Sequence, residues 1–149
     1  MLVVGYMAAN RDQGSDEEQI LAVIERGRQA IERKSLDSAM SCISNDFSGD
    51  GLLNRDRLRM LAAEAFRENR SYQVEVDTPR VEIGRDRARA GTHVLVTATG
   101  ETGTERVFSG DVVLHMAKER VRRYLIFPAR EWKVTGMEGI SPITTDLAP

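Results

Sequence analysis

The sequence predicts an α+β domain: three N-terminal helices packed on a strongly curved antiparallel sheet of four to six strands. Three observations predict it. Apolar residues recur every three or four positions up to residue 66, then alternate with polar ones after residue 70. Glycine-rich turns, GRD at 84–86 and GETGTE at 100–105, divide the second half into long runs. The helical half and the strand half do not intermix, which excludes a parallel sheet with crossover helices.

The first helix begins at SDEE. Ser15 is placed to cap it, with Glu18 three residues on, while Asp16 and Glu17 suit the positive end of the helix dipole. Ile20, Ile24, Gly27 and Ile31 form its apolar stripe, widened by Leu21 and Val23, and the spacing predicts a helix over 16–34. Ser35 caps a shorter helix whose apolar face is Leu36, Ala39, Met40 and Ile43. The pattern breaks at Asp46 and Phe47, and SGDG at 48–51 is turn chemistry. Asn54 caps a third helix, where Leu58, Leu61, Ala62, Ala65 and Phe66 make one continuous stripe.

Tyr72, Val74 and Val76 then alternate as a strand, and Val81 and Ile83 resume after Pro79, which marks an edge position or a bulge. Residues 88–99 and 106–117 read as a long hairpin, and 131–137 as the last strand. Within 118–130, YLIF has strand character and Pro128 is expected to end it; this stretch either extends the hairpin or forms an extra strand. In HVLVTAT, Val94 and Val96 share one face and Leu95 and Thr97 the other. A strand apolar on both faces needs cover on both, from the helices and from a second surface.

The chain has 149 residues, enough for one domain to fold without a metal or disulfide. With 41% hydrophobic and 30% charged residues and a net charge of −2, nothing favours nucleic acid or an anionic membrane as partner. One cysteine, Cys42, excludes an internal disulfide framework and, among apolar neighbours, reads as a buried thiol. Two histidines and one cysteine at no ligand-like spacing argue against a metal site, and no cofactor motif stands out. KERVRR, interrupted by Glu119 and Val121, reads as a solvated strand end. The organisation expected is a leader or disordered segment over 1–14, the domain over 15–140 and a tail over 141–149. MLVVGYMAAN has no basic start and is too short to span a bilayer, so a cytoplasmic location is expected. The end of a truncated signal or anchor is the alternative, and would place the domain in the cell envelope and bring the membrane in as a partner.

The stretches DEEQILAVIERGRQAIERKSLDSAMSCIS and DFSGDGLLNRDRLRML, with the closing EWKVTGME and its Trp132-x-Val134, resemble the nuclear transport factor 2-like superfamily over residues 16–139. That superfamily has the cystatin-like α+β fold shared with ketosteroid isomerases and polyketide cyclases. The resemblance implies a homodimer through the open face of the sheet. It leaves the chemistry open, because this fold hosts isomerases, dehydratases, cyclases and proteins that only bind.

In ketosteroid-isomerase-like members an acid in the loop after the second helix is the general base. Asp50 is the nearest match and Asp46 is close. Such a site also needs acid donors for the oxyanion, and the first helix has no tyrosine; Asp111 and Tyr72 lie on strands. Turn stabilisation explains Asp50 by itself. His93 and His115 fall on neighbouring strands, where a dehydratase-like site pairing His93 with an acid is the enzymatic alternative. Trp132 reads as core, its indole N–H in need of a partner. The favoured expectation is a non-enzymatic homodimer whose apolar pocket suits a small hydrophobic ligand, lined by Phe47, Phe66, Phe108, Leu114, Met116 and Trp132. The alternatives are an isomerase, cyclase or dehydratase with Asp50 or Asp46 as base, and an interaction module of a larger assembly.

Overall fold

The computed structural model describes residues 15–123 and 127–139; the expected leader and the whole of the expected tail lie outside them. Three helices come first: α1 (Asp16–Arg33), α2 (Leu36–Ser41) and α3 (Arg55–Arg67). Each begins at the residue whose side chain caps it. Ser15 Oγ accepts the Glu18 N–H at 3.0 Å, Ser35 Oγ accepts that of Ser38 at 3.4 Å, and Asn54 Oδ1 accepts that of Arg57 at 2.8 Å. α1 stops at Lys34, which turns left-handed (φ 55°). Its N–H bonds back to Ile31, and the reversal delivers Ser35 to the start of α2.

Five strands follow: β1 (Ser71–Val76), β2 (Arg80–Ile83), β3 (Arg87–Gly100), β4 (Gly103–Arg123) and β5 (Phe127–Glu138). They form one antiparallel sheet in the order β1-β3-β4-β5. β2 pairs with the start of β3, below β1 on the same edge, so Pro79 falls in the break of an edge strand, where its missing N–H costs nothing. The sheet is curled into a half-barrel, with register shifts between Val96 and Thr97 and between His115 and Met116. Such shifts tighten the local twist and bend the strand.

The last two strands are longer than the alternation suggested. β4 runs on to Arg123 and β5 starts at Phe127, so 118–130 extends a hairpin rather than adding a strand. Pro128 does not end the run; it sits inside β5, opposite Arg122. β5 is the edge strand, which is where a proline is tolerated. Its free edge is partly covered higher up by the segment after α2. Ser44 N–H donates to the Val134 carbonyl at 2.9 Å, Val134 N–H to Cys42 at 2.8 Å, and Ser48 N–H to Thr135 at 3.0 Å. A Cβ at Gly136 would come within 3.0 Å of the Ser48 carbonyl, so the close approach there depends on glycine.

The core lies between α1, α2 and the concave side of the sheet. Ile20 and Val23 from α1 and Met40, Cys42, Ile43 and Phe47 from α2 and its continuation meet Ala88, Ala90, Met116, Trp132 and Val134 from the strands. Small side chains on β3 let the helices approach, and large ones on β4 and β5 fill the space beside them. No helix among the described residues is long and apolar enough to cross a membrane.

Candidate functional site

The helix-facing side of the sheet has two unlike ends. At the packed end, Trp132 and Met116 are almost wholly buried, at 2% and 1% exposure. The indole N–H finds its partner in Asp16, donating to Oδ1 at 3.2 Å, while Lys118 Nζ reaches the same oxygen at 2.9 Å. Asp16 therefore does more than complement the dipole of α1. It ties the first turn of that helix to β4 and β5. The Lys118 hydrogen bond is the main cause holding its carboxyl below the usual range, with Trp132 assisting against partial desolvation. Ser44 is buried beside this knot and donates to Glu119 Oε2 at 2.6 Å.

The other end lies where the last turn of α3 meets β1. Tyr72 and Val74 share the inner side of β1 and stand opposite Ala98 and Val96; Phe108 stands on the far side of Val96. Tyr72 O–H donates to the Ala65 carbonyl of α3 at 3.0 Å, which sets the last turn of that helix over this part of the sheet. Arg55 holds the first turn, donating to the Met40 carbonyl at 3.1 Å. Lys34 Nζ reaches the Glu68 carbonyl at 2.8 Å, just past the helix end. Yet no residue of α3 is buried. Phe66, Leu58, Ala62 and Ala65 are half-buried, as are Val94, Val96 and Phe108 on the sheet, and Leu61 is 50% exposed. The Phe108 ring lies over Gly110, where a Cβ would meet it at 3.3 Å.

The six residues read as pocket lining thus divide. Phe47, Met116 and Trp132 belong to the packed core, with Leu114 against it, whereas Phe66 and Phe108 stand at the α3 end. The candidate acids lie apart from both groups. Asp50 is exposed in the turn between Gly49 and Leu53, where its carbonyl accepts the Leu53 N–H at 3.3 Å and Gly51 takes positive φ (68°). Asp46 is exposed, its N–H donating to Ser44 Oγ at 3.0 Å.

Both histidines point away from the helices. Met116 and Ala88 face the core, so by strand alternation His115, Arg89, His93 and Asp111 occupy the opposite face with Leu95 and Val113. The histidines do not meet across the sheet. His93 stands opposite Asp111 and His115 opposite Arg89, with the Gly91–Val113 rung between them. His93 Nδ1 lies 3.0 Å from Asp111 Oδ1, and its Nε2 is 3.4 Å from Ser109 Oγ; His115 pairs with Glu138. Asp111 is 92% exposed, so this chain of polar groups is open to water. Among the described residues no cluster of His, Cys, Asp or Glu has metal-binding geometry.

No family model matches the chain, and neither does any curated protein. Solved structures do match. A protein of unknown function from Mycobacterium tuberculosis superposes with a TM-score of 0.69 at 16% identity, over 83% of this chain and 74% of that one. A protein of unknown function with a cystatin-like fold from Nostoc punctiforme gives 0.57 at 11% identity, over 83% and 89%. The fold of this chain is therefore cystatin-like. A ketosteroid isomerase-like protein from Erwinia carotovora atroseptica shares this architecture, with a TM-score of 0.60 at 14% identity, over 83% of this chain and 94% of that one. At such identities the likeness is one of fold, and function has to be argued from the site.

Sequence reasoning missed two anchors. Asp16 was legible as a helix-start acid but not as the indole acceptor, because its partners lie more than a hundred positions away. Glu32 accepts the Val74 N–H of β1 at 3.0 Å, a bond whose acceptor is on a helix and whose donor is on a strand edge. That bond, and then Arg28, holds the Glu32 carboxyl below its usual range.

Proposed function

We propose that this protein binds a small hydrophobic ligand, without chemistry, in the apolar mouth between α3 and the sheet. The observation that carries the reading is the state of α3: a helix with a continuous apolar stripe, none of it buried, whose last turn is held to Tyr72 of β1, the strand paired with half-buried Val96. A surface of that kind gains from a guest that removes it from water, at roughly 25 cal/mol per Å² of apolar area covered. The enzymatic alternative has less support. Asp46 and Asp50 are exposed, and His93 and His115 lie on the outer face of the sheet.

The protein acts as a homodimer, paired through that outer face. Leu95 and Val113 are half-buried there and have no helix over them, and a two-sided apolar strand favours a second covered surface.

Nile red, a neutral apolar dye, tests the mouth. Saturable binding with enhanced fluorescence is expected, at least tenfold weaker in Phe66→Asp, with the fold checked by circular dichroism. No saturable binding, or a Phe66→Asp variant that binds as well as the parent, overturns the reading and leaves the interaction module. For the pairing, light scattering should give twice the chain mass at micromolar concentration and a single chain mass for Leu95→Asp; a monomeric parent contradicts it.

A further inference from the structure

The outer face carries a groove that the proposed reading does not use. Where β2 turns into β3, a hollow of about 430 Å³ opens to solvent. Its walls are Glu82 from β2, Arg87 and Arg89 from β3, and His115 from β4, over a floor formed where Ala88 and Met116 cross between the faces. Those two side chains point into the core and are 6% and 1% exposed, so the floor is their backbone and the walls are side chains of the outer face. Most of the lining is apolar, and it includes the exposed Ile83 of β2.

The charges in this groove are unevenly committed. Arg89 meets Glu82 only at 3.9 Å, with both side chains more than half exposed, a geometry worth little to either. His115 is engaged by Glu138. Arg87 has no carboxylate partner among the described residues. The walls carry two guanidiniums and one carboxylate, with a second carboxylate, Glu138, held on His115, so the guanidinium left uncommitted is that of Arg87. A guanidinium presents a planar fork that matches a carboxylate in two hydrogen bonds, which an ammonium does not. Glu82 repels a second negative charge on the ligand, so a monoanion fits better than a dianion.

We propose that this groove is a binding site for a small monocarboxylic acid with a flat apolar body. The carboxylate lies on the Arg87 guanidinium, and the body runs along the arginine stems and the strand backbone. The site is separate from the mouth under α3, which is on the other face. On the outer face it borders Val113, one rung from the Arg89–His115 pair, and lies six residues along β3 from Leu95, roughly 20 Å at the usual strand rise.

The test is a titration of the uniformly ¹⁵N-labelled full chain with 2-naphthoate, and in parallel with uncharged 2-naphthamide. Naphthoate is expected to shift the amides of Gly84, Arg87, Arg89 and His115 saturably. The amide should bind at least tenfold more weakly. Arg87→Gln, a substitution at an exposed side chain, should lose naphthoate binding by a similar factor while the remaining spectrum is unchanged. Equal affinity for acid and amide overturns the proposal. So does undiminished binding by Arg87→Gln, or a set of shifts centred on Phe66 and Phe108, which would place the acid in the mouth.

Discussion

The two ends of the space between helices and sheet use similar residue types to different effect. Beneath α1, a tryptophan, a methionine and several aliphatic side chains are sealed from water, and the polar atoms brought in are met: the indole N–H by Asp16 and the hydroxyl of buried Ser44 by Glu119. Beneath α3, leucine, alanine and phenylalanine at the same helical spacing remain half open to water. The difference lies in how each helix is held. α1 is pinned to the sheet along its length, by Asp16 at its start and Glu32 near its end, whereas α3 is held at its two ends through backbone carbonyls. A stripe of apolar residues therefore states which side a helix turns inward, not how tightly that side is closed.

Substitutions at the two ends should separate them. Trp132→Ala empties a sealed site and leaves Asp16 without its indole donor, so denaturant unfolding should show a loss of about 3–5 kcal/mol. Phe47→Ala should approach that figure. Comparable losses for Phe66→Ala would erase the distinction between the ends.

Asp16→Asn should cost about 1–2 kcal/mol, since a hydrogen bond to a charged partner is replaced at a side chain a third exposed. The pH dependence sharpens this. The carboxyls of Asp16 and Glu32 are both depressed in the folded state, so their contribution is complete above the ordinary carboxylate value of about 4. It is lost as the pH falls through that value towards the depressed one. The parent should lose stability in this window faster than Asp16→Asn, which has one such group fewer.

Phe66→Ala removes a half-buried ring and should cost about 1 kcal/mol, well under the Trp132 figure, while its effect on Nile red binding is large. The smallest effect is expected at Asp50. Asp50→Asn keeps the turn-forming side chain and should change stability by less than about 0.5 kcal/mol and leave dye binding unaltered. A lost ligand affinity in this variant would bring the loop acid back as a functional group.

Much of this architecture is legible in local sequence. Ser15, Ser35 and Asn54 each announce a helix start, because a cap acts on the backbone two or three residues away. Alternation likewise set Leu95 and His93 on the face opposite Val94 before any coordinates. The rest depends on distant pairings. Whether 118–130 was a new strand or a longer hairpin turned on which residues β5 faces, and Pro128 misled because an edge strand tolerates what a central one does not. That the histidines share the outer face, and that a rung parts them, are both properties of the β3–β4 pairing. The groove at Arg87 and Arg89 was invisible for the same reason: its walls come from three strands, and the interruption at Pro79 that places β2 there is not written in any one of them.

Amide hydrogen exchange compares the two ends most directly. The amides of α1 between Ile20 and Ala30 should exchange only through global unfolding, with the same free energy as Trp132 and Val134 on β5. Those of α3 between Leu58 and Phe66 should exchange through a cheaper local opening, and should gain protection when Nile red is bound. Equal protection of α1 and α3 in the free protein, unchanged by the dye, would contradict the account of a sealed core at one end and an open binding mouth at the other.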